Sequence, residues 1–494
     1  MKQWAALAAA AVAFFVLVTA NSGGYRFGVS DQAYYEPAIA KGLDAQLFPR
    51  DSALLNVQSK YLGSVHLLAF VTALTGTNPP TVFLVTYVIT VCGLFAASVV
   101  LARRLGMSWW ACATFLLLLA LRHRIAKTAA NTMEGYMHPR MLAFVCGIAA
   151  CAALAGGRAL WAAVWTLVAI AMHPTTGLWF GILVAVALTT GRVRLTGRHV
   201  RVVVLGAVVA VLLGWGLATF GPLAGRLVIM DRDWLDVLEE KDYLFPAAWP
   251  AYAWIVNLSY SLLLWLAFRS RQRRGVALPV ETGLVAGVLA LVVLFLVSVP
   301  FTMAKVALAV QLQINRIFWV ADFFTSAYVA WWLVDRSASV RLRLAIVSVL
   351  TVAACVRGAY ILRVESDRML IQATLPKSDW ISALSWLESQ PKDWFVLADP
   401  GQAWKFGASV RVGAHRDTLL EAGKDSSMAM YDRDVAMHVK DRTEALANFE
   451  ALDTDGIRSL AARYHLTVLV DKRGRTLALP VLYENAGFVV YDLR

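Results

Sequence analysis

Hydropathy in this chain comes in blocks. Long apolar runs separated by short polar tracts lie at roughly 4–20, 81–101, 108–121, 141–156, 159–172, 174–190, 202–220, 250–268, 279–299, 312–334 and 343–361. Uniform runs of this length predict bilayer-spanning helices, about eleven of them and a few short. The pair at 159–190 is broken at His173-Pro174 and reads as two short spans or one re-entrant element. The run 61–75 is short and contains His66, which predicts a helix lying along the interface. The first run could be a secretory signal ending at Val18-Thr19-Ala20. Its length and the spans that follow predict instead an uncleaved first helix.

The polar tracts between the runs set an orientation. Arg103-Arg104, the cluster Arg192, Arg194, Arg198 and Arg201, the cluster Arg269, Arg271, Arg273 and Arg274, and the set Arg336, Arg341 and Arg343 should share the cytoplasmic side. About eleven spans with a cytoplasmic N-terminus satisfy this, and a full span at 61–75 breaks it. The loops near 21–60, 122–138, 221–249 and 300–311 then face outward, as does everything after 362. One basic stretch, Arg122-His123-Arg124 with Lys127, falls outside against the rule. Such an exception is a place to look for function.

Past residue 365 the pattern changes to that of a soluble domain. Strands are predicted at 394–398, 410–412, 466–470 and 488–491, and helices at 378–388, 442–452 and 456–464. The chain therefore divides into a membrane module, 1–364, with a long first outer loop in 21–80, and an extracytoplasmic α/β domain, 365–494.

Composition agrees with a membrane protein: of 494 residues, 59% are hydrophobic and 16% charged, against about a quarter charged in soluble domains. The net charge of +13 belongs to the cytoplasmic arginine tracts and does not point to nucleic acid. The five cysteines all lie within apolar runs without CxxC or Cys/His spacing, which predicts small core residues rather than a disulfide frame or zinc site. No ligand cluster specifies a metal, and a divalent cation stays an open option. Glycine fingerprints for nucleotides, a P-loop and a GxSxG elbow are absent from the sequence, so ATP-driven transport is not supported.

Candidate chemistry concentrates in the outer loops. Asp31 opens a predicted helix with Tyr34 and Tyr35 at i+3 and i+4. A carboxylate beside aromatics at the membrane boundary suits a general base for an acceptor hydroxyl, whereas a simple helix cap is the plain alternative. Glu36 and Asp44 are the next choices, and Asp51 is expected to pair with Arg50. Arg122, His123, Arg124 and Lys127, followed by Glu134, His138 and Arg140, could hold a lipid phosphate or merely snorkel to headgroups. His173, before Pro174, could line a cavity but reads more simply as a helix corner. Arg316, entering a span that also holds Asp322, is an intramembrane charge and so a candidate for phosphate binding, with Lys305 a weaker companion. Asp399-Pro400-Gly401 reads as a turn.

These features together resemble the GT-C superfamily of integral-membrane glycosyltransferases, which use polyprenyl-phosphate-linked sugars. The resemblance rests on SDQAYYEP at 30–37 and LFPRD at 47–51 in the first loop, QINR at 313–316, and PVLYENAG at 480–487. It covers the layout of the whole chain. It implies transfer of a sugar to a glycan, lipid or protein acceptor on the outer face of the cytoplasmic membrane. Asp31 or Glu36 would be the catalytic carboxylate, while Arg316, Arg122, Arg124, His138, Arg140, His173 and Tyr35 would bind substrate. A secondary transporter and a non-catalytic partner in envelope polymer assembly are the other two readings of the same charges.

Overall fold

A computed structural model describes residues 2–190, 216, 221, 223–336 and 339–494. Six helical stretches among them are long and apolar enough to cross a membrane: 3–21, 79–104, 251–273, 279–303, 307–334 and 340–365. Shorter apolar helices fill in between, and the chain is an integral membrane protein. In chain order the elements before the middle of the bundle are α1 (Lys2–Asn21), α2 (Gln32–Leu43), α3 (Ser52–Ser59), α4 (Gly63–Thr75), α5 (Pro79–Arg104), α6 (Trp109–Ala120), α7 (Pro139–Ala155), α8 (Ala159–Met172) and α9 (Pro174–Thr190). The predicted run 202–220, apart from Gly216, and the cluster Arg192, Arg194, Arg198 and Arg201 lie outside the described residues.

The bundle is closed by small residues where helices cross. A Cβ on Gly147 of α7 would lie 2.1 Å from the Phe180 ring of α9, and one on Gly283 would lie 2.6 Å from the Ala187 carbonyl. Lipid gives no hydrophobic drive between helices, so such close approach supplies the packing that holds them. The loops sort to two ends. At one end Arg271 is fully buried, bidentate to Glu281 at 2.7 and 2.9 Å and bonded to the Leu105 carbonyl at 2.6 Å. It belongs to the arginine tract expected on the cytoplasmic side. Ser108 is tied to Asp335 at the same end.

At the other end the predicted outer loops meet each other and the C-terminal domain. Asn315 bonds the carbonyls of Lys127 and Tyr243, and Trp234 bonds that of Ala429. A two-stranded parallel pair joins β1 (Tyr25–Arg26) to β4 (Ile371–Gln372), and β2 (Arg124–Ile125) pairs with β3 (Ala130–Asn131). The C-terminal domain has a five-stranded sheet in the order β6-β5-β7-β9-β8, formed by β5 (Phe395–Ala398), β6 (Asp417–Thr418), β7 (Val468–Lys472), β8 (Val481–Glu484) and β9 (Phe488–Asp492). The stretch expected as a strand at 410–412 is instead a short helix, Val410–Ala414, capped by Ser409. Its valines made it strand-like, but all of it is buried against the Asp379–Glu388 helix and α2, where burial outweighs propensity. The helix expected at 442–452 begins earlier, as Arg433–Ala445, because Asp432 caps it.

Arg411, on that short helix, anchors the domain to the first loop. Its Nε lies 2.8 Å from Asp51, and its Nη atoms lie 2.6 and 3.0 Å from Asp425. Asp51 thus pairs with Arg411 and not with the neighbouring Arg50, whose guanidinium goes to the carbonyls of Tyr464 and His465. All of these carboxylates are buried, so removing the cation leaves them uncompensated. Arg411→Met is expected to cost about 3–5 kcal/mol of stability, read by chemical unfolding in detergent.

His415 adds a pH-dependent tie. Its ring spans Glu36 at 3.0 Å and Glu388 at 2.8 Å. Burial would lower its pKa, but the two carboxylates raise it to about 10. The unfolded value is near 6.5, so this stabilisation is complete below that pH and is lost as pH rises toward 10. The melting temperature is expected to fall across that window in the native chain and to fall less in His415→Gln.

Candidate functional site

A cavity of about 430 Å³ opens between the bundle end and the C-terminal domain. Asp31 reaches it because of the turn that precedes α2. Gly28 and Ser30 both adopt left-handed backbone, with φ of 78° and 54°. A side chain at Gly28 would also meet Leu375 at 2.6 Å, so the turn demands glycine there. Ser30 has no such excuse, and strain at a non-glycine residue of this kind gathers at functional sites. Gln32, fully buried, accepts from the Gly28 N–H at 2.7 Å and donates to the Met137 carbonyl at 3.1 Å. That bridge holds the 28–32 turn against the segment carrying His138.

The Asp31 side chain does not cap α2. Its Oδ2 receives His138 Nε2 at 3.1 Å and the Tyr136 hydroxyl at 3.5 Å, and its Oδ1 receives Lys424 Nζ at 2.9 Å. The tautomer of His138 follows from its other nitrogen. Nδ1 accepts the Arg140 backbone N–H at 3.2 Å, so the ring proton sits on Nε2 and points at Asp31. Burial and Arg140 push the His138 pKa down to about 4, so the ring is neutral near pH 7. Burial tends to raise the Asp31 pKa, but Lys424 and His138 outweigh it and hold the carboxyl well below its usual range.

Arg316 enters the same cavity from a broken helix. The stretch Ala307–Gln311 ends, Gln313 turns left-handed at φ 47°, and the 3₁₀ turn Ile314–Arg316 leads into the Ile317–Val334 helix. The Arg316 Nε is buried without a hydrogen-bond partner, and among the described residues no carboxylate pairs with its guanidinium. Arg26 likewise faces the cavity with no partner for its side chain among the described residues. Burial and the neighbouring Arg368 and Arg122 bring its pKa down to about 10. The walls carry six cations, Arg26, Arg122, Arg140, Lys241, Arg316 and Lys424, against two carboxylates, Asp31 and Glu134. A cavity so lined attracts anions.

A second cavity of about 390 Å³ adjoins the first and shares Gln58 and Tyr431 with it. Its lining is largely apolar: Leu62, Pro174, Leu178, Leu308 and Leu312, with Arg226 at its edge. Tyr431 takes hydrogen bonds from Gln58 at 3.3 Å and Gln313 at 3.0 Å, so these three side chains form the partition.

The candidates read from sequence separate accordingly. Asp31, Tyr35, Arg122, His138, Arg140 and Arg316 line the polar cavity together. Glu36 does not; it is buried and turned to His415 of the C-terminal domain. Arg124 is exposed on β2 and is not part of the lining, since strand alternation sends its side chain away from that of buried Ile125. His173 accepts from Thr175, Thr176 and the Thr176 N–H, which makes it the cap of α9 and a wall of the apolar cavity only. Asp44 pairs with Lys392 at the surface, and Asp322 with His123 at 3.1 Å. Lys305 packs over the Phe245 ring. Arg26, Tyr136, Lys241 and Lys424 were not found from sequence. Tyr136, two residues before His138, was within reach of the outer-loop argument, whereas Lys424 carries no local signal in a soluble domain rich in charges. Among the described residues no group of three or more His, Cys, Asp or Glu side chains could hold a metal.

No family model matches the chain, and no curated protein does. Among solved structures it is similar to the oligosaccharyltransferase of Archaeoglobus fulgidus tethered to an acceptor peptide, at 11% identity over 94% of this chain and 69% of that one, with a TM-score of 0.45. The apo form of that protein gives 11% identity, 93% and 69% coverage and a TM-score of 0.45. The arabinofuranosyltransferase AftD from Mycobacteria gives 13% identity over all of this chain but 40% of its own length, with a TM-score of 0.37. Both proteins are GT-C membrane glycosyltransferases. At these values the likeness carries no argument, and the chemistry must come from the cavity.

Proposed function

We propose that the chain is an integral-membrane glycosyltransferase of GT-C type. It would move a sugar from a polyprenyl-phosphate donor to an acceptor hydroxyl on the extracytoplasmic face, with its N-terminus in the cytoplasm. The observation that carries this is Arg316, a guanidinium with no carboxylate partner among the described residues, in the same polar cavity as Asp31 and next to an apolar cavity suited to hydrocarbon. A lipid tail in the apolar cavity brings its phosphate past the Gln58–Tyr431–Gln313 partition toward Arg316. Paired guanidinium donors fit phosphate oxygens.

In the reaction the bond from the sugar's anomeric carbon to the phosphate oxygen breaks, and that carbon joins the acceptor oxygen. The acceptor's proton goes to Asp31, and the electron pair leaves with the phosphate, where Arg316 meets the added negative charge. In the resting arrangement Lys424 covers Asp31 Oδ1. A donor phosphate offers Lys424 a second anion, and its departure gives the acceptor hydroxyl access to that oxygen. His138 and Tyr136 keep the carboxylate aimed from its other side.

The direct test is a structure with undecaprenyl phosphate soaked in. Phosphate beside Arg316 with the chain in the apolar cavity is the expected result. Lipid bound nowhere, or at the opposite end of the bundle, would overturn the reading.

A further inference from the structure

The polar cavity has a second cationic end that the donor phosphate does not use. It is built where the chain leaves α1. Arg26 lies on β1, its backbone N–H bonded to the Gly135 carbonyl at 3.0 Å. Arg122 donates Nε to the Met133 carbonyl at 2.9 Å and stays 3.9 Å from Glu134. That carboxylate is already engaged by Arg140 and by Asn131. Arg357 bonds Asn21, the residue before this turn, at 2.8 Å. An Arg368 Nη lies 3.7 Å from where a Gly23 side chain would stand, and the Leu370 carbonyl takes the Tyr25 N–H. Four arginines from three parts of the chain are therefore gathered around residues 21–26. Ser22 Oγ, buried and lining the cavity, has no partner among the described residues. Arg357 also faces the Glu365 carboxylate, which is exposed.

Such a cluster is costly without an anion, because like charges repel and half-buried guanidinium groups lose hydration. Water alone would serve Arg26 less well than an anionic oxygen. Arg316 sits at the apolar partition, among Tyr243 and Tyr431. The Arg26 end has no such neighbour in the apolar cavity. Asp31 lines the same space as both.

We infer that the acceptor is itself anionic: Arg26 and Arg122, backed by Arg357 and Arg368, hold a phosphate or carboxylate group on it while its hydroxyl faces Asp31. This rests on the donor assignment above, and it narrows the acceptor to acidic molecules. A neutral glycan or an uncharged peptide side chain leaves Arg26 unpaired.

The test uses the full chain in nanodiscs of zwitterionic lipid, with inorganic phosphate as probe. Phosphate is expected to bind at saturating undecaprenyl phosphate, showing two anion sites. Arg26→Gln should weaken phosphate about 10-fold or more and change undecaprenyl phosphate affinity by less than about threefold. Arg316→Gln should do the opposite. Arg368→Gln serves as a second variant should Arg26→Gln not fold. One-for-one competition between the two probes overturns the inference, as does phosphate binding that ignores both the Arg26 and Arg368 variants. Displacement of phosphate by nanodiscs containing phosphatidylglycerol also overturns it, by assigning the site to a lipid headgroup. Failure of undecaprenyl phosphate to bind the native chain counts against the donor reading instead, and the Arg26 and Arg368 variants still decide the second site.

Discussion

Asp31→Asn should abolish sugar transfer, by about 10²–10⁴-fold in kcat, while the chain stays folded. The amide keeps the shape and can still accept from His138 Nε2, so the 28–32 turn and its Gln32 bridge persist. What it loses is the negative charge and the ability to take a proton. Loss of turnover with unchanged elution and melting behaviour separates an enzyme from a non-catalytic assembly partner, since a partner keeps its phenotype. The electrostatics add a second readout. Lys424 and His138 hold the Asp31 pKa well below its usual range, so the carboxylate stays ionised throughout the pH range in which most proteins work. The acid limb of the rate profile should therefore lie below the ordinary carboxylate range. Lys424→Met removes a cation that favours the ionised form, so this limb must move to higher pH. An acid limb that does not move, or moves the other way, would dissociate Lys424 from the base.

Arg316→Gln should lower kcat by about 10²–10³-fold and weaken undecaprenyl phosphate binding. The guanidinium has nothing to compensate when empty, so the variant leaves no carboxylate stranded and should fold normally. Arg316→Lys restores charge but not the planar fork, and partial recovery is expected. Equal activity in Arg316→Gln and the native chain would remove the residue from the mechanism. A rise in KM with unchanged kcat would make it a ground-state anchor rather than a group that meets developing charge.

The sequence was most legible where hydropathy was strongest. The break at His173-Pro174 and the helices on either side of it were visible, and so was the polar stretch that carries Arg316 into a span, because lipid tolerates few polar residues there; the kink at 313–316 itself was not. Asp31 could be picked out because a charged turn directly after an apolar run has few reasons to exist. Its alternative role as a cap could not be dismissed from sequence, since the choice depends on a rotamer set by His138 and Lys424, 107 and 393 residues away. Glu36 and Arg124 fall outside the cavity for the same kind of reason. Each stands within a few residues of a cavity-lining neighbour, yet helix phase turns Glu36 toward the C-terminal domain and strand alternation turns Arg124 outward. Arg26 gave no signal because its meaning lies in arginines that come close only after β1 pairs with β4.

That pairing bears on how the protein is made. Asp31 emerges among the first residues, but Arg411, which clamps its loop through Asp51, lies 360 residues beyond that partner, and Lys424 comes later still. Contacts of such separation form late. During synthesis the loop after α1 must wait with its charges hydrated while helix after helix inserts. The polar cavity acquires its final wall only when the C-terminal domain folds onto the loop. A chain stalled before residue 424 would have a complete run of membrane helices and a carboxylate with no lysine to cover it.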